Sequence, residues 1–568
     1  MTRSSFSIYS TWGLHDELGD TVQLSEDLAF SALRALDRWA DFGMKPDFFH
    51  LDAFWYDPAL GYRHFHPQRW PRGFEPFLEA LRERHYIPGL WFSTTGLTLE
   101  PPAWAESRCP DGHYSLVDGP YADILASDLH HAAETWGVRL FKFDFANFTA
   151  SRNSRRSAEE TRALAVERLT GILNGLRSAF PDIHVISHVG YARNQHHQRQ
   201  GWPHPVAVDP ALLEGMDAVF SGDPQCMDIP QTHLTRNLDL YQDRAVWKLH
   251  QAGFPLHRIE DHGVVMAQTN TACFRGRAGL RRSHIGQLAR GGRRDLYYGD
   301  PSLPTDADLA GMARFRALYY DAWSRCLNTQ LLGEGEPGSV SWHGTLTGGA
   351  ARGLLTLVNP GFNPVTVRLP VTDLFHASLI FHDGTETPAL QTAPDQLRVT
   401  LGPEQMVLIG LGAYAHEPLD APGDPEVPVF KKISLLNASV RALPTVGSEI
   451  FIASERRKLL IIARAWDGKP EDPGHLLPFA FGGQPTPEGA TREAMTHELL
   501  PIRARDAEGN EVMPLSRVPD VPVWSGISWV ACVFPAIPGG RVEVRPVFDP
   551  PRRVEVEAYA VEEGSTET

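Results

Sequence analysis

Short apolar runs alternate with amphipathic segments along about the first 325 residues of the chain. After the first run, apolar side chains recur every three to four residues between Ser25 and Gly43. This spacing predicts a helix with Ser25 as its N-cap and Gly43 just past its end. Each later run is also followed by a helical pattern or a polar loop. The eight predicted strands lie in residues 6–12, 47–56, 87–93, 138–145, 182–189, 216–223, 254–261 and 295–300.

Eight strand–helix units in this length predict a (β/α)₈ TIM barrel over residues 1–330. An open, doubly wound α/β sheet is the alternative fold. The first strand is followed by no G-x-G-x-x-G motif, and the chain contains no Walker A sequence. Both absences favour the barrel.

The pattern changes after residue 335, where short alternating runs are separated by Gly and Pro. Such runs are typical of antiparallel β structure. We therefore expect a small β-sandwich over residues 335–415, a linker over 416–428, and a second β-rich domain over 429–568. The pattern assigns no role to this last domain.

Charge and cysteine usage narrow the class of protein. The formal net charge of -16 argues against nucleic acid or an anionic membrane as a partner, because both select basic surfaces. The five cysteines form no C-x-x-C pair, which argues against a disulfide framework or a zinc cluster. The first residues lack the apolar stretch of a secretory signal, and no window has the length of a membrane span. We expect a cytoplasmic enzyme, with a homo-oligomer as one possible state.

The fourth predicted strand, RLFKFDFANF at 139–148, carries two charged residues in an apolar run. Side chains alternate along a strand, so Lys142 and Asp144 share one face and the phenylalanines share the other. If the phenylalanines pack outward, the charged pair points into the barrel near the end where barrel enzymes keep their active sites. An ionised carboxylate there is a competent nucleophile, and a nearby cation keeps it ionised. The alternative is a buried ion pair that only stabilises the barrel.

A second carboxylic acid is needed for glycosidic bond cleavage by this kind of nucleophile. Asp223 ends the sixth predicted strand, on the same rim, and Asp228 follows five residues later as a competitor. Either could instead be a turn or N-cap aspartate. Asp52, in the second predicted strand, could accept hydrogen bonds from sugar hydroxyls.

Aromatic and polar residues near other strand ends complete the candidate site. Trp55, Trp91 and Trp12 could stack on a sugar ring, although each is equally consistent with a core position. The seventh predicted strand ends in polar residues that could bind sugar hydroxyls, and their spacing matches no strong metal motif. These residues are His257, Glu260, Asp261 and His262.

Three short motifs resemble those of the retaining α-galactosidases, the melibiase-like glycoside hydrolases, and they occur in the same order along the chain. The fourth strand of that family carries K-x-D, which Lys142 and Asp144 match. Its second strand carries D-D-x-W, which "DAFW" at 52–55 matches except at Ala53, and its sixth strand is followed by S-G-D, which residues 221–223 match. The resemblance covers roughly residues 6–415 and implies a barrel with a small β domain after it.

The resemblance also implies roles for these residues. Asp144 would be the nucleophile, Asp223 the acid/base, and Lys142 a ligand of the sugar. Ala53 stands where the family has a carboxylate for hydroxyls at the sugar's far side. Val219 stands where many members have an arginine near the sugar's 2-substituent. Both departures leave the identity of the sugar open.

These observations predict a retaining, exo-acting α-glycosidase of α-galactosidase type acting on an oligosaccharide or α-glycoside, with no cofactor and no metal. A related α-glucosidase or transglycosylase on the same scaffold is one alternative. A catalytically inactive carbohydrate-binding protein is another. The presence of both Asp144 and Asp223 argues against it, because a binding protein needs no nucleophile opposite an acid.

Overall fold

A computed structural model of the chain provides the fold. It describes residues 5–14, 23–187, 213–221, 229–232, 234–266, 279–384, 386–420, 430–436, 450–453, 457–465, 501–515, 524–525, 529–545 and 554–563.

Parallel strands form a sheet in the first half of the chain, in the order β10-β11-β1-β2-β5-β6-β7-β8-β9. A short hairpin of β3 and β4 lies outside this sheet. The strands are β1 (Phe6–Ser10), β2 (Phe48–Leu51), β3 (Tyr56–Asp57), β4 (Gly61–Phe65), β5 (Ile87–Ser93), β6 (Leu140–Asp144), β7 (His184–Ser187), β8 (Ala218–Phe220), β9 (Ile259–Glu260), β10 (Val264–Met266) and β11 (Arg294–Gly299).

The sheet closes into a barrel because its two edge strands, β9 and β10, follow each other directly along the chain. β9 pairs with β8 at one edge of the sheet, and β10 pairs with β11 at the other. Only residues 261–263 separate β9 from β10 along the chain, so the two edges are consecutive pieces of one interrupted strand. Eight strand positions therefore surround the interior, which is the count of a TIM barrel.

Helices follow the strands around the outside of the barrel. Ser25 caps α1 as predicted, because its hydroxyl accepts a hydrogen bond from the Leu28 amide at 3.3 Å. Ser157 caps α4 in the same way through the Glu160 amide, at 3.2 Å. The helices are α1 (Glu26–Asp41), α2 (Glu75–Glu83), α3 (Tyr121–Thr135), α4 (Ala158–Ala179), α5 (Leu234–Gln251), α6 (Leu280–Ala289) and α7 (Asp306–Ser324), with 3₁₀ turns at Pro102–Ser107, Leu256–Arg258 and Ala413–His416.

Two antiparallel sheets follow the barrel and enclose their own apolar core. The other face of the larger sheet packs on α6 and α7, where Phe315 and Trp323 meet Leu354 and Phe381. The larger sheet has the order β12-β13-β14-β19-β16 and the smaller one β15-β18-β17. Their strands are β12 (Thr329–Leu332), β13 (His343–Gly349), β14 (Arg352–Val358), β15 (Val365–Pro370), β16 (Ala377–His382), β17 (Ala389–Ala393), β18 (Gln396–Leu401) and β19 (Met406–Gly412).

Two further antiparallel sheets end the chain and share a second apolar core. The outer face of the larger one contacts Leu238 of α5 through Leu460 and Trp529. The orders are β20-β28-β22-β26-β25 and β21-β27-β23-β24. The strands are β20 (Phe430–Leu435), β21 (Ile450–Ala453), β22 (Lys458–Ala465), β23 (Ile502–Arg505), β24 (Glu511–Val512), β25 (Trp524–Ser525), β26 (Trp529–Phe534), β27 (Arg541–Val544) and β28 (Val554–Glu563).

The predicted fold class, a TIM barrel followed by antiparallel β domains, is confirmed by this topology. The boundaries 1–330, 335–415 and 429–568 stay a prediction of how the chain divides into domains. Within the described ranges, no helix combines the length and the apolar composition needed to cross a lipid bilayer.

Candidate active site

The two faces of β6 differ as the alternation predicts. Phe141 and Phe143 are fully buried in the cluster between the strands and the outer helices, and both stack on Phe92 of β5. Leu140, on the other face, belongs to the cluster inside the barrel. Lys142 therefore faces the interior together with Asp144, the last residue of β6 and the one nearest the strand's carboxyl end.

Lys142 forms a buried ion pair across the barrel interior with Asp52. Its Nζ lies 2.9 Å from Asp52 Oδ2, and only 4% and 2% of the two side chains are exposed. The ammonium group also lies over two aromatic rings, 4.7 Å from the centre of Phe220 and 5.5 Å from that of Tyr298. Such contacts stabilise a buried cation. Asp52 comes from two strand positions away. The predicted contact of Lys142 with Asp144 stays a prediction.

Asp52 is held in place by several donors besides Lys142. Its Oδ1 accepts the Ala53 amide at 2.9 Å, and the Ser10 hydroxyl lies 3.4 Å from its Oδ2. Its own amide donates to Thr11 Oγ1 at 3.0 Å. These contacts keep the carboxylate in one orientation, as a sugar-binding carboxylate requires.

His50 lies beside this pair, with Nδ1 3.6 Å from Asp52 Oδ2 and 3.0 Å from Ser10 Oγ. Burial lowers the pKa of His50 to about 3, with Lys142 adding to the effect and Asp52 opposing it. The ring is therefore neutral near pH 7. The sequence analysis did not single out His50, although it lies two residues before Asp52 and hence on the same face of the strand.

Asp144 lies where the chain turns at the end of β6, and its side chain is partly exposed. Its Oδ1 accepts the Phe145 amide at 2.8 Å, and its carbonyl accepts the Thr94 amide at 2.7 Å. Phe145 has a φ of 45°, a left-handed conformation that non-glycine residues adopt in few places. Thr95 Oγ1 donates to the Phe145 carbonyl at 2.5 Å and secures this turn. The carboxylate is thus fixed by its own backbone at the mouth of the barrel.

A cluster of aromatic rings packs inside the barrel near Lys142. The His262 ring, fully buried between β9 and β10, lies 4.1 Å from Trp12 and stacks on Tyr298 at 4.3 Å. Phe220 lies 4.8 Å from the same imidazole. Trp12 and His262 are therefore adjacent, and their contact with a sugar stays a prediction.

Trp55 and Trp91 have surroundings typical of a core. Trp55 is fully buried, packs on Phe65 and Trp136, and donates its indole N–H to the Trp91 carbonyl at 2.8 Å. Trp91 is 1% exposed and stacks parallel to Tyr56. Of the two interpretations offered for these tryptophans, burial favours the core role, because a stacking platform needs an accessible ring face.

Glu260 lies inside the barrel, rather than on its rim. Its neighbour Ile259 packs outward against α5, so the Glu260 side chain points inward, where it is 1% exposed and receives the Tyr298 hydroxyl at 3.4 Å. Burial raises the pKa of Glu260 to about 7, opposed by Arg294 and Lys142. The alternation of side chains along the strand could have indicated that Glu260 points inward, but only the fold shows that its side chain is fully buried.

Asp223 and its competitor Asp228 lie outside the described residues. The last described residue before them is Ser221, whose amide donates to the Glu260 carbonyl at 2.7 Å and whose hydroxyl lies 3.3 Å from Gln242 Oε1. The placement of the acid/base stays a prediction.

Comparison with known proteins gives a likeness of fold. No protein-family model and no curated protein matches the chain. Among solved structures, a variant of the GH36 α-galactosidase from Geobacillus stearothermophilus in complex with raffinose is similar with a TM-score of 0.51 and 13% identity, over 72% of this chain and 56% of that one. The α-galactosidase from Lactobacillus brevis has a TM-score of 0.49 and 12% identity, over 71% and 55%. α-Galactosidase I from Mortierella vinacea has a TM-score of 0.47 and 12% identity, over 73% and 98%.

The Geobacillus comparison supports a shared architecture, and at this identity it shows the fold alone. This chain covers little more than half the length of that enzyme. The resemblance drawn from the three sequence motifs is thereby confirmed at the level of the fold.

Proposed function

We propose that this chain is a retaining, exo-acting α-glycoside hydrolase with α-galactosidase-like specificity. The observation that carries the proposal is the placement of Asp144. It is a partly exposed carboxylate at the carboxyl end of a barrel strand, on the same interior face as the buried Lys142–Asp52 pair. A partly exposed carboxylate beside fixed polar groups, at this end of a barrel, is suited to nucleophilic attack on a bound sugar.

The proposed reaction is a double displacement. An Asp144 oxygen attacks the anomeric carbon while the bond from that carbon to the leaving oxygen breaks, and the leaving oxygen takes a proton from Asp223. Asp223 then removes a proton from a water molecule, which attacks the same carbon and releases Asp144. This sequence requires about 5–5.5 Å between the two carboxyl groups and returns the sugar with its original configuration.

Lys142 and Asp52 would hold the sugar at its non-reducing end. They form a buried ion pair, so a sugar hydroxyl that approaches them meets a strong donor and a strong acceptor. His50 remains neutral beside them and therefore adds no competing charge.

A second sugar specificity is favoured by one residue. Ala53, which is 6% exposed and follows Asp52 directly, offers no carboxylate for the hydroxyls that α-galactosidases hold with the second acidic residue of D-D-x-W. An α-glucosidase or a transglycosylase on the same scaffold is therefore the second candidate.

The test is hydrolysis of nitrophenyl α-galactoside and α-glucoside, and of raffinose, by the full chain and by Asp144→Ala. We expect Asp144→Ala to reduce kcat/KM on the order of a thousandfold or more, because nucleophile and acid/base act as a unit. Added azide should restore turnover of the nitrophenyl glycoside by this variant, since azide can replace the missing carboxylate and give a glycosyl azide of inverted configuration. NMR of the first product released by the unmodified protein should show the α-anomer.

Asp123→Ala is the matched control, because Asp123 is an exposed aspartate on α3 that pairs with Arg168. It should leave kcat/KM unchanged. An initial β-anomer product would exclude the retaining mechanism, and equal activity of Asp144→Ala would exclude Asp144 as nucleophile. No turnover of any of these substrates, with sugar binding still measurable, would favour the inactive binding protein.

A further inference from the structure

A cavity lies at the end of the barrel opposite Asp144. It is bordered by the first residues of three strands, Phe6 of β1, His184 of β7 and Arg294 of β11, whereas Asp144 is the last residue of its strand. Because all barrel strands are parallel, these first residues mark the amino-terminal mouth. The cavity has a volume of about 690 Å³, within the range of roughly 300–1,000 Å³ that small-molecule sites occupy.

The lining of this cavity is rich in guanidinium groups. It contains four arginines but two carboxylates, those of Asp217 and Glu214. Arg177 is paired with Asp217 at 2.7 Å. Among the residues that the structure describes, no carboxylate lies within salt-bridge distance of the other three arginines, which are Arg258, Arg293 and Arg294.

These three arginines donate instead to main-chain carbonyls. Arg258 donates to the Met216 carbonyl at 2.6 Å, Arg293 to the Leu327 carbonyl at 3.2 Å, and Arg294 to the His257 carbonyl at 3.0 Å. Such bonds fix the orientation of the guanidinium groups, and carboxylates beyond salt-bridge distance, such as Asp217, offset their charges only in part. The positions of these cationic groups are therefore fixed, and the cavity is electropositive.

Arg294 carries an unused donor into this region. The side chain is 7% exposed, its guanidinium lies 5.5 Å from the Phe6 ring, and its buried Nε has no hydrogen-bond partner among the described residues. An unsatisfied buried donor is unfavourable, so a ligand that accepts from it gains free energy.

The positive charges of these arginines also affect the pKa values of neighbouring groups. Burial lowers the pKa of His257, and Arg293, Arg294 and Arg258 lower it further. Burial also lowers the pKa of Arg258, with Asp217 opposing the effect and Arg177 adding to it. A bound anion would relieve this mutual repulsion.

We propose that this cavity binds a tetrahedral oxyanion, the phosphate group of a small phosphomonoester or inorganic phosphate itself. Guanidinium groups bind phosphate oxygens through paired, charge-assisted hydrogen bonds. The volume exceeds what a single phosphate fills, which favours the phosphomonoester. This site is separate from the proposed active site and does not depend on the proposed function.

The test is isothermal titration calorimetry of the full chain with inorganic phosphate and with galactose 1-phosphate, at constant ionic strength set by chloride. We expect both to bind, with galactose 1-phosphate the tighter ligand. Arg293→Gln should weaken binding about tenfold or more, since one charge-assisted hydrogen-bonding group is lost. Arg293→Lys keeps the charge but not the paired donors of the guanidinium group, so its affinity for phosphate should lie between those of the unmodified chain and Arg293→Gln. Arg34→Ala, an exposed arginine on α1, is the matched control and should bind as the unmodified protein does.

Either of two results in these titrations would overturn the proposal, as would competition by galactose. One is the absence of phosphate binding beyond that of chloride. The other is equal affinity in Arg293→Gln and the unmodified chain, with circular dichroism confirming that the variant is folded. Saturating galactose should not weaken phosphate binding, and competition between them would place the anion at Lys142 instead.

Discussion

Asp52 and Glu260 are both buried in the barrel interior, and their surroundings differ. Asp52 has Lys142 at 2.9 Å and accepts an amide N–H. Glu260 receives a hydroxyl at 3.4 Å, and burial raises its pKa to about 7. For Glu260 the cost of burying the ionised form exceeds the opposing effect of Arg294 and Lys142.

This difference makes a prediction for stability against pH. The pKa of Glu260 is about 7 in the folded chain against 4.5 unfolded, so its stabilising contribution is present below about pH 4.5 and is lost as pH rises through 7. Glu260→Gln has no such loss. Between pH 5 and pH 8 the free energy of unfolding of the unmodified chain should therefore fall by about 2–3 kcal/mol relative to that of the variant.

Urea denaturation at the two pH values measures this change. Glu79→Gln, an exposed glutamate on α2, is the control and should follow the unmodified chain at both. Parallel stability curves for Glu260→Gln and the unmodified chain would show that Glu260 is already ionised at pH 5.

At the scale of the element, the interruption of the seventh strand closes the barrel and positions His262. The pattern predicts one strand over 254–261, whereas the structure has a 3₁₀ turn, then β9, then β10. Gly263 makes the interruption possible with a φ of 57°, and its amide donates to Asp261 Oδ1 at 3.1 Å. A single glycine in an apolar context does not indicate such a break, because its conformation depends on neighbouring strands.

Gly263→Ala should therefore destabilise the barrel. The added Cβ would collide with the Leu296 carbonyl of β11, and the left-handed conformation is itself unfavourable for alanine. We expect a loss of about 3 kcal/mol or more in the free energy of unfolding, combining strain and overpacking. Gly137→Ala is the matched control, with a φ of 70° and no atom within 4 Å of its Cβ, and should lose only about 1–2 kcal/mol. Equal losses in thermal or urea denaturation would contradict the collision.

At the scale of the whole molecule, buried ion pairs connect the barrel helices with the first β-sandwich. Arg236 of α5 lies 3.2 Å from Glu404, with 2% of each side chain exposed. Asp243 of α5 contacts both Arg290 of α6 and His343 of β13. Although burial opposes it, Arg290 and His343 lower the pKa of Asp243 to about 2. Since breaking such a pair leaves a buried charge unpaired, the contact couples the two parts of the chain.

Arg236→Met should destabilise the chain by about 3–5 kcal/mol, because the buried Glu404 would lose its cationic partner. Arg236→Met combined with Glu404→Gln should recover at least half of that loss, since the amide is neutral and can still accept the Thr232 amide. Urea denaturation of both variants measures the difference, with exposed Arg503→Met as control. A double variant as unstable as the single one would show that packing, and not charge, is lost.

The sequence by itself determined which side chains of β6 face inward, where α1 begins, and that a barrel precedes β sheets. Each of these follows from a local periodicity or from a cap within three residues. Only the tertiary structure decided that Lys142 pairs with Asp52, 90 residues away, that Glu260 keeps a raised pKa, and that Trp55 and Trp91 are enclosed. Charge pairing, dielectric surroundings and burial depend on residues distant in the chain, and no local pattern contains them.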